Sequence, residues 1–313
     1  MCDVPTAEDV RKRIVEHGMA IRDRVVETLP PGLGLMVEQV RSISRTYKGD
    51  LDTFLTNLAT VKNIDNLITY IALLAALNKH KSLSDEELRR LGAAFERHVY
   101  DVVSASRLRK ALEEAGVDKE VASESISTLL RALGVIRHRH RALYLWIAKQ
   151  RRMANFERGV REVFFRGEGG NKVGRAVKLL LRTFIHDTNI PLAVKIAYSQ
   201  EYKKYLPHGD MYTALVTLRS GAFEDVASLT AERVKARVAK RLLCEARGEK
   251  CRDVVIRLES VRGLVRHVAK ISGDPVLYER GAYDIGVKYC KDLKCETCPI
   301  RDVCKRFTFV QLR

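Results

Sequence analysis

Four of the chain's seven cysteines fall in one segment, residues 289–307, reading YCKDLKCETCPIRDVCKRF. Cys290, Cys295, Cys298 and Cys304 are separated by four, two and five residues. So short a segment must loop back on itself, and it then offers four thiolates to one centre, the donor set of a metal or iron–sulfur cage. The alternative is four buried cysteines that merely lie close together. Lys288, Lys291, Lys294, Arg301, Lys305 and Arg306 flank them, and positive charge there favours thiolate over thiol.

A net charge of +17 and a pI near 9.7 over 313 residues point outward, to a polyanion. Nucleic acid is the first candidate and an anionic membrane the second. A generally basic, heat-stable surface is the plain alternative. Only four Gln and seven Asn stand against 56 Lys plus Arg, a composition resembling a thermophile's. The N-terminal MCDVPTAEDVRKR has no apolar run, so no signal peptide is expected. No apolar stretch reaches the ~20 residues that span a bilayer. The expectation is a soluble, cytoplasmic protein, nucleoid-associated and prokaryotic or archaeal. In that compartment clustered cysteines favour metal over disulfides. Cys244 and Cys251 stay open: an unbroken helix would hold them ~10 Å apart along its axis, too far to bridge, whereas a break at Gly248 would let them meet.

Nearly every segment has helical period, so the fold class is all-α. Thr6 opens a first helix expected to end at Gly18, and Pro30 to Gly34 then interrupt the chain. Leu35, Met36, Val40 and Ile43 begin another helix. IDNLITYIALLAAL, residues 64–77, is apolar on nearly every side, as a central buried helix must be. Ser84 with Glu87 forms a capping box, and Asp118 caps a helix expected to end at Gly134. The run IRHRHR, with Arg137, Arg139, Arg141, His138 and His140, is either a phosphate-facing edge or a solvated turn. GEGGNKVGR, residues 167–175, lacks the GK[ST] ending of a Walker loop. It opens a helix whose leading amides suit a phosphate. The last helix before the cysteines is expected to be RDVVIRLESVRGLVRHVAKISG.

In this order the segments resemble the helix-hairpin-helix DNA glycosylases of the endonuclease III type. KCETCPIRDVC is similar to the end of that family's iron–sulfur loop, and AYDIGVKYC to the helix that delivers its first ligand. The family's first gap is six residues where this chain has four. IDNLITYIALLAAL, LRALGVIRHRHRALYLWIA and KVGRAVKLLL resemble, in turn, the family's early buried helix, a later helix start and its hairpin. LPHGDMYTALVTLRSGA is similar to the segment carrying the catalytic aspartate. The resemblance implies a two-domain fold: a central helical barrel over residues 65–205, and a discontinuous iron–sulfur domain of 1–64 plus 206–313. Double-stranded DNA is the implied partner, with no membrane and a monomer favoured. A [4Fe–4S] cluster on Cys290, Cys295, Cys298 and Cys304 is the implied cofactor, zinc the alternative.

The implied activity is hydrolysis of the N-glycosidic bond of a damaged or mismatched base, by a monofunctional enzyme. The alternative is a non-catalytic iron–sulfur protein binding nucleic acid on the same scaffold. Asp210 inherits the catalytic carboxylate, although an N-cap is its equal alternative. The hairpin lacks the family's Leu-Pro-Gly-x-Gly. Aligning Gly174 with the second hairpin glycine puts Ala176 where a lyase lysine would stand, and aligning Gly170 puts Lys172 there. Lys172 is otherwise a phosphate contact. The expected DNA contacts are Gly169, Gly170, Lys172, Gly174 and Arg175 at the turn, with Lys291, Lys294, Lys305 and Arg306 on the cysteine loop. Tyr202, Tyr205 and His208 precede Asp210 as candidates to stack on a flipped base, or as core aromatics.

Overall fold

A computed structural model describes residues 5–21, 24–81, 83–186, 189–204 and 209–313, and only the backbone of Arg24, Asn171, Lys172, Arg175 and Lys204. Helix accounts for 70% and strand for 2%, so the protein is all-α. The chain divides into two compact units, Met1–Ile21 with Leu206–Arg313, and Arg22–Tyr205.

The second unit is built on the helix Ile64–His80, buried at every position from Leu67 to Leu77. A helix without a polar face can only be stable when covered all round. Lys119–His140 and Gly170–Ile185 pack on it. The expected capping box is present: Ser84 Oγ accepts from Glu87 N, and Glu87 Oε2 from Ser84 N. Asp118 likewise caps the helix Lys119–His140.

Three expectations need correction here. Residues 22–64 belong with this unit and not with the cysteine loop. The helix Pro31–Arg45 is tied into it where Arg41 Nε donates to Asn189 O (2.8 Å) and Ser44 Oγ to Pro191 O (2.7 Å). Leu35, expected on that helix's apolar face, is 68% exposed. Gly134 does not end its helix, which runs on to His140. An interior glycine costs roughly 1 kcal/mol, and burying Leu133 and Ile136 on either side of it offsets that.

In the first unit, Ala7–Ala20 also outruns its expected end at Gly18, which serves packing instead. A Cβ at Gly18 would lie 2.0 Å from Leu277 O, and one at Gly281 would lie 2.1 Å from Ile14 O. Only paired glycines let the helices Ala7–Ala20 and Pro275–Ile285 approach this closely. The stretch before the cysteines is also not one helix. Val254–Ile256 is a strand paired in parallel with Val310–Leu312, and the helices Leu258–Ile271 and Pro275–Ile285 follow it. The question of Cys244 and Cys251 closes in favour of a disulfide, with Cα atoms 6.0 Å apart. The helix Leu229–Ala246 stops before Gly248, whose φ of +70° turns the chain back.

Candidate metal centre

The helix Pro275–Ile285 runs into one wider turn, Gly286–Cys290, which carries the first cysteine of the loop. Wide turns of this kind occur mostly where a helix is adapted to a site. Gly286 lies against the helix Met211–Ser220: a Cβ there would be 2.7 Å from Tyr212 Cβ. The short first gap is closed by Leu293, whose φ of +55° folds the chain back so that Lys294 N donates to Tyr289 O (2.9 Å). Cys298 N then donates to Cys295 O (3.3 Å) and Cys304 N to Ile300 O (2.9 Å).

The result is a ring. Cys290, Cys295, Cys298 and Cys304 all line one small cavity of about 30 Å³, backed by Val216 and Ser220 of the helix Met211–Ser220 and by Ile285 and Ile300. All four are free and part-buried. Among the described residues, no group of three or more His, Cys, Asp or Glu side chains is arranged to hold a metal ion.

Burial pushes the thiols of Cys290 and Cys298 up, and that of Cys304 up to about 11. The flanking Arg306 charge does ease thiolate formation at Cys298, as expected, but burial outweighs it. Arg219 at Cys290, and the Arg306 charge and backbone N–H at Cys298 and Cys304 respectively, act the other way but do not offset the desolvation.

The residue the sequence reading missed is Arg219. It is 4% exposed, and its guanidinium donates to Cys290 O (2.6 Å), Val310 O (2.8 Å) and Gln311 Oε1 (3.2 Å), with Cys290 Sγ at 3.9 Å. Phe307 N donates to its carbonyl and Lys305 N to that of Ser220. One side chain thus joins both ends of the cysteine loop to the helix beneath. Its only sequence signal was an arginine at the end of an otherwise apolar helix.

Asp210 is the N-cap of that same helix. Its Oδ1 accepts from Tyr212 N (2.8 Å) and Thr213 N (3.0 Å), and its Oδ2 from the Thr213 hydroxyl (2.7 Å). Ten residues of helix separate it from Ser220, about 15 Å along the axis. Of the loop cations, Lys294 faces Asp292, Arg306 faces Glu296, and Lys305 stands 4.0 Å from Glu224. Lys291 is exposed and makes no ion pair among the described residues.

The glycine-rich turn lies in the other unit. Gly169 caps the helix Gly170–Ile185, Gly170 has a φ of +89°, and Gly174 is within the first turns. The side chains of Lys172 and Arg175 lie outside the described residues. Ala176 is fully buried in the core. Tyr202 is a core aromatic, 8% exposed and edge-on to His186, while Tyr205 and His208 lie outside the described residues. No helix among the described residues is long and apolar enough to cross a membrane. No family model, curated protein or solved structure matches the chain.

Proposed function

We propose that this chain is a DNA base-excision glycosylase of the endonuclease III type, whose cysteine loop holds a [4Fe–4S] cluster. The observation that carries the reading is the ring of four cysteines around one cavity on the helix that Asp210 caps. The gaps of two and five between the last three cysteines favour a cluster over tetrahedral zinc in the same cage. Four thiolates on iron leave net negative charge, and the buried Arg219 beside Cys290 offsets part of it. The cluster's contribution is structural: it braces the loop from which Lys291, Lys294, Lys305 and Arg306 meet DNA phosphates.

The chemistry belongs to Asp210. Its bonds to Tyr212 N and Thr213 fix the carboxylate's rotamer, and Oδ2 keeps acceptor capacity beyond the Thr213 hydroxyl. In excision it would stabilise the cation-like sugar and orient the attacking water. The same capping bonds favour a second reading, a cluster protein that binds nucleic acid without cutting it, because an N-cap needs no further role.

Anaerobically purified protein should be yellow-brown, with iron and sulfide near four each per chain. Colourless protein with one zinc would overturn the cluster. Duplexes with a panel of damaged or mismatched bases, treated with alkali after incubation, report excision. Asp210→Asn should abolish cleavage of whichever substrate the native chain cuts. Equal behaviour of the two proteins on every duplex would leave the binding reading alone.

A further inference from the structure

From Gly134 to Ala154 the chain holds no acidic residue but six cations, Arg137, Arg139, Arg141, Lys149, Arg151 and Arg152. All six are exposed, and none makes an ion pair among the described residues. The fold gathers them. The helix Lys119–His140 ends at Arg141, whose φ of +68° turns the chain into the short helix Leu143–Ala148. That helix ends at Lys149, near the end of the first. Burial, and then the charges of Lys149 and Arg139, hold the His140 imidazole below its ordinary range.

Among the described residues, the two carboxylates that bond into this region are taken up by backbone N–H groups. Asp65 accepts from Leu143 N and Tyr144 N, and Glu201 from Met153 N. Cations in a last helical turn answer the helix dipole, which accounts for Arg137 and Arg139. It does not account for Lys149, whose charge reaches His140, or for the exposed Arg151 and Arg152 that follow it in the chain. Like charges so close repel, and the arrangement gains only from an external anion. None of the large exposed apolar side chains lies in residues 134–154, so the surface lacks the anchors of a membrane-binding face. A duplex, with one phosphate per ~1.7 Å of axis, matches a broad, purely cationic surface.

We propose that the end of the helix Lys119–His140 and the segment after the helix Leu143–Ala148 together form a docking surface for the phosphodiester backbone of duplex nucleic acid. Such contacts position the duplex and read no bases. The surface lies within the unit that lacks both Asp210 and the cysteines, so it stands whether or not the protein excises a base.

The test is fluorescence anisotropy with an undamaged, labelled DNA duplex over a salt series. R137E/R139E/R141E should weaken binding at least about tenfold at low salt. It should also flatten the slope of log K against log salt by about two to three, since each lost phosphate contact removes ~0.9. K149E/R151E/R152E should do the same, and serves if the first variant misfolds by circular dichroism. R89E/R90E/R109E makes the same charge change at exposed positions of the same unit, and should change binding by less than about twofold. Native-like binding by both patch variants, or an equal loss in the control, overturns the proposal. So does loss of binding to phosphatidylserine vesicles alone with duplex binding kept.

Discussion

Arg219 carries a buried charge that, among the described residues, meets carbonyl and amide oxygens and no carboxylate. A guanidinium suits that position because its planar fork offers several donors in fixed directions. Removing it would leave the carbonyls of Cys290 and Val310 short of a donor in a desolvated place, each at a cost of about 1–3 kcal/mol. Arg219→Met is therefore expected to lower unfolding free energy by about 2–4 kcal/mol in a denaturant titration, and to lower bound iron with it. A full iron complement in that variant would show that the loop holds its shape unaided. Asp210 was legible from PHGDMYTALV as both a cap and a candidate acid, and the structure displays the cap. Arg219 was not legible, because nothing local separates a buried arginine from an exposed one. Its partners lie 71 to 92 residues away.

At the scale of elements, four capped helix starts followed their local chemistry, whereas the helix expected from Leu35 begins at Pro31 and two expected glycine stops failed. Thr6, Ser84, Asp118 and Asp210 cap where their side chains reach the next turn's amides. Gly18 and Gly134 read as stops because glycine commonly closes helices. Both are interior: Gly18 is itself the packing contact with Leu277, and beyond Gly134 the helix buries Ile136. Gly18 and Gly281 meet across the helices Ala7–Ala20 and Pro275–Ile285, and a methyl at either would strike a backbone carbonyl near 2 Å. Gly281→Ala is expected to cost about 1–3 kcal/mol or more and to lower the melting temperature. An exposed glycine with open space around it, Gly263, provides the comparison, and its alanine variant should melt at or above the native temperature. Equal effects at the two positions would remove the close approach as the cause.

Across the whole molecule, the first unit is made from the two ends of the chain, and a bidentate pair helps hold them together. Arg11 NH1 and NH2 bind the two Asp225 oxygens at 2.6 and 2.7 Å, and NH1 also donates to Ala222 O. The Arg11 hydrogen bond, against a smaller opposing effect of burial, holds the Asp225 carboxyl below its ordinary range. Asp225 is thus lower in the folded than in the unfolded chain, so its contribution is complete above the unfolded value of about 3.9. It is lost as pH falls through the folded value. Arg11→Met should flatten the acid limb of stability against pH below about 4 and leave the slope near neutrality unchanged. An unaltered acid limb would mean the pair is already broken in solution.

The sequence by itself determined that the protein is helical, where its capped helices begin, which helix is buried on all sides, and that four cysteines share a short loop. Each of these depends on residues within a few turns of one another, so periodicity and side-chain chemistry suffice. Tertiary structure alone decided that residues 22–64 pack with the second unit, that Cys244 meets Cys251, and that Arg219 supports the cysteine ring. It also brought Lys149 up to the end of the helix Lys119–His140, beside His140. The first and third depend on which distant segments come together, which no local pattern encodes, and the others on how the chain turns at Gly248 and Arg141.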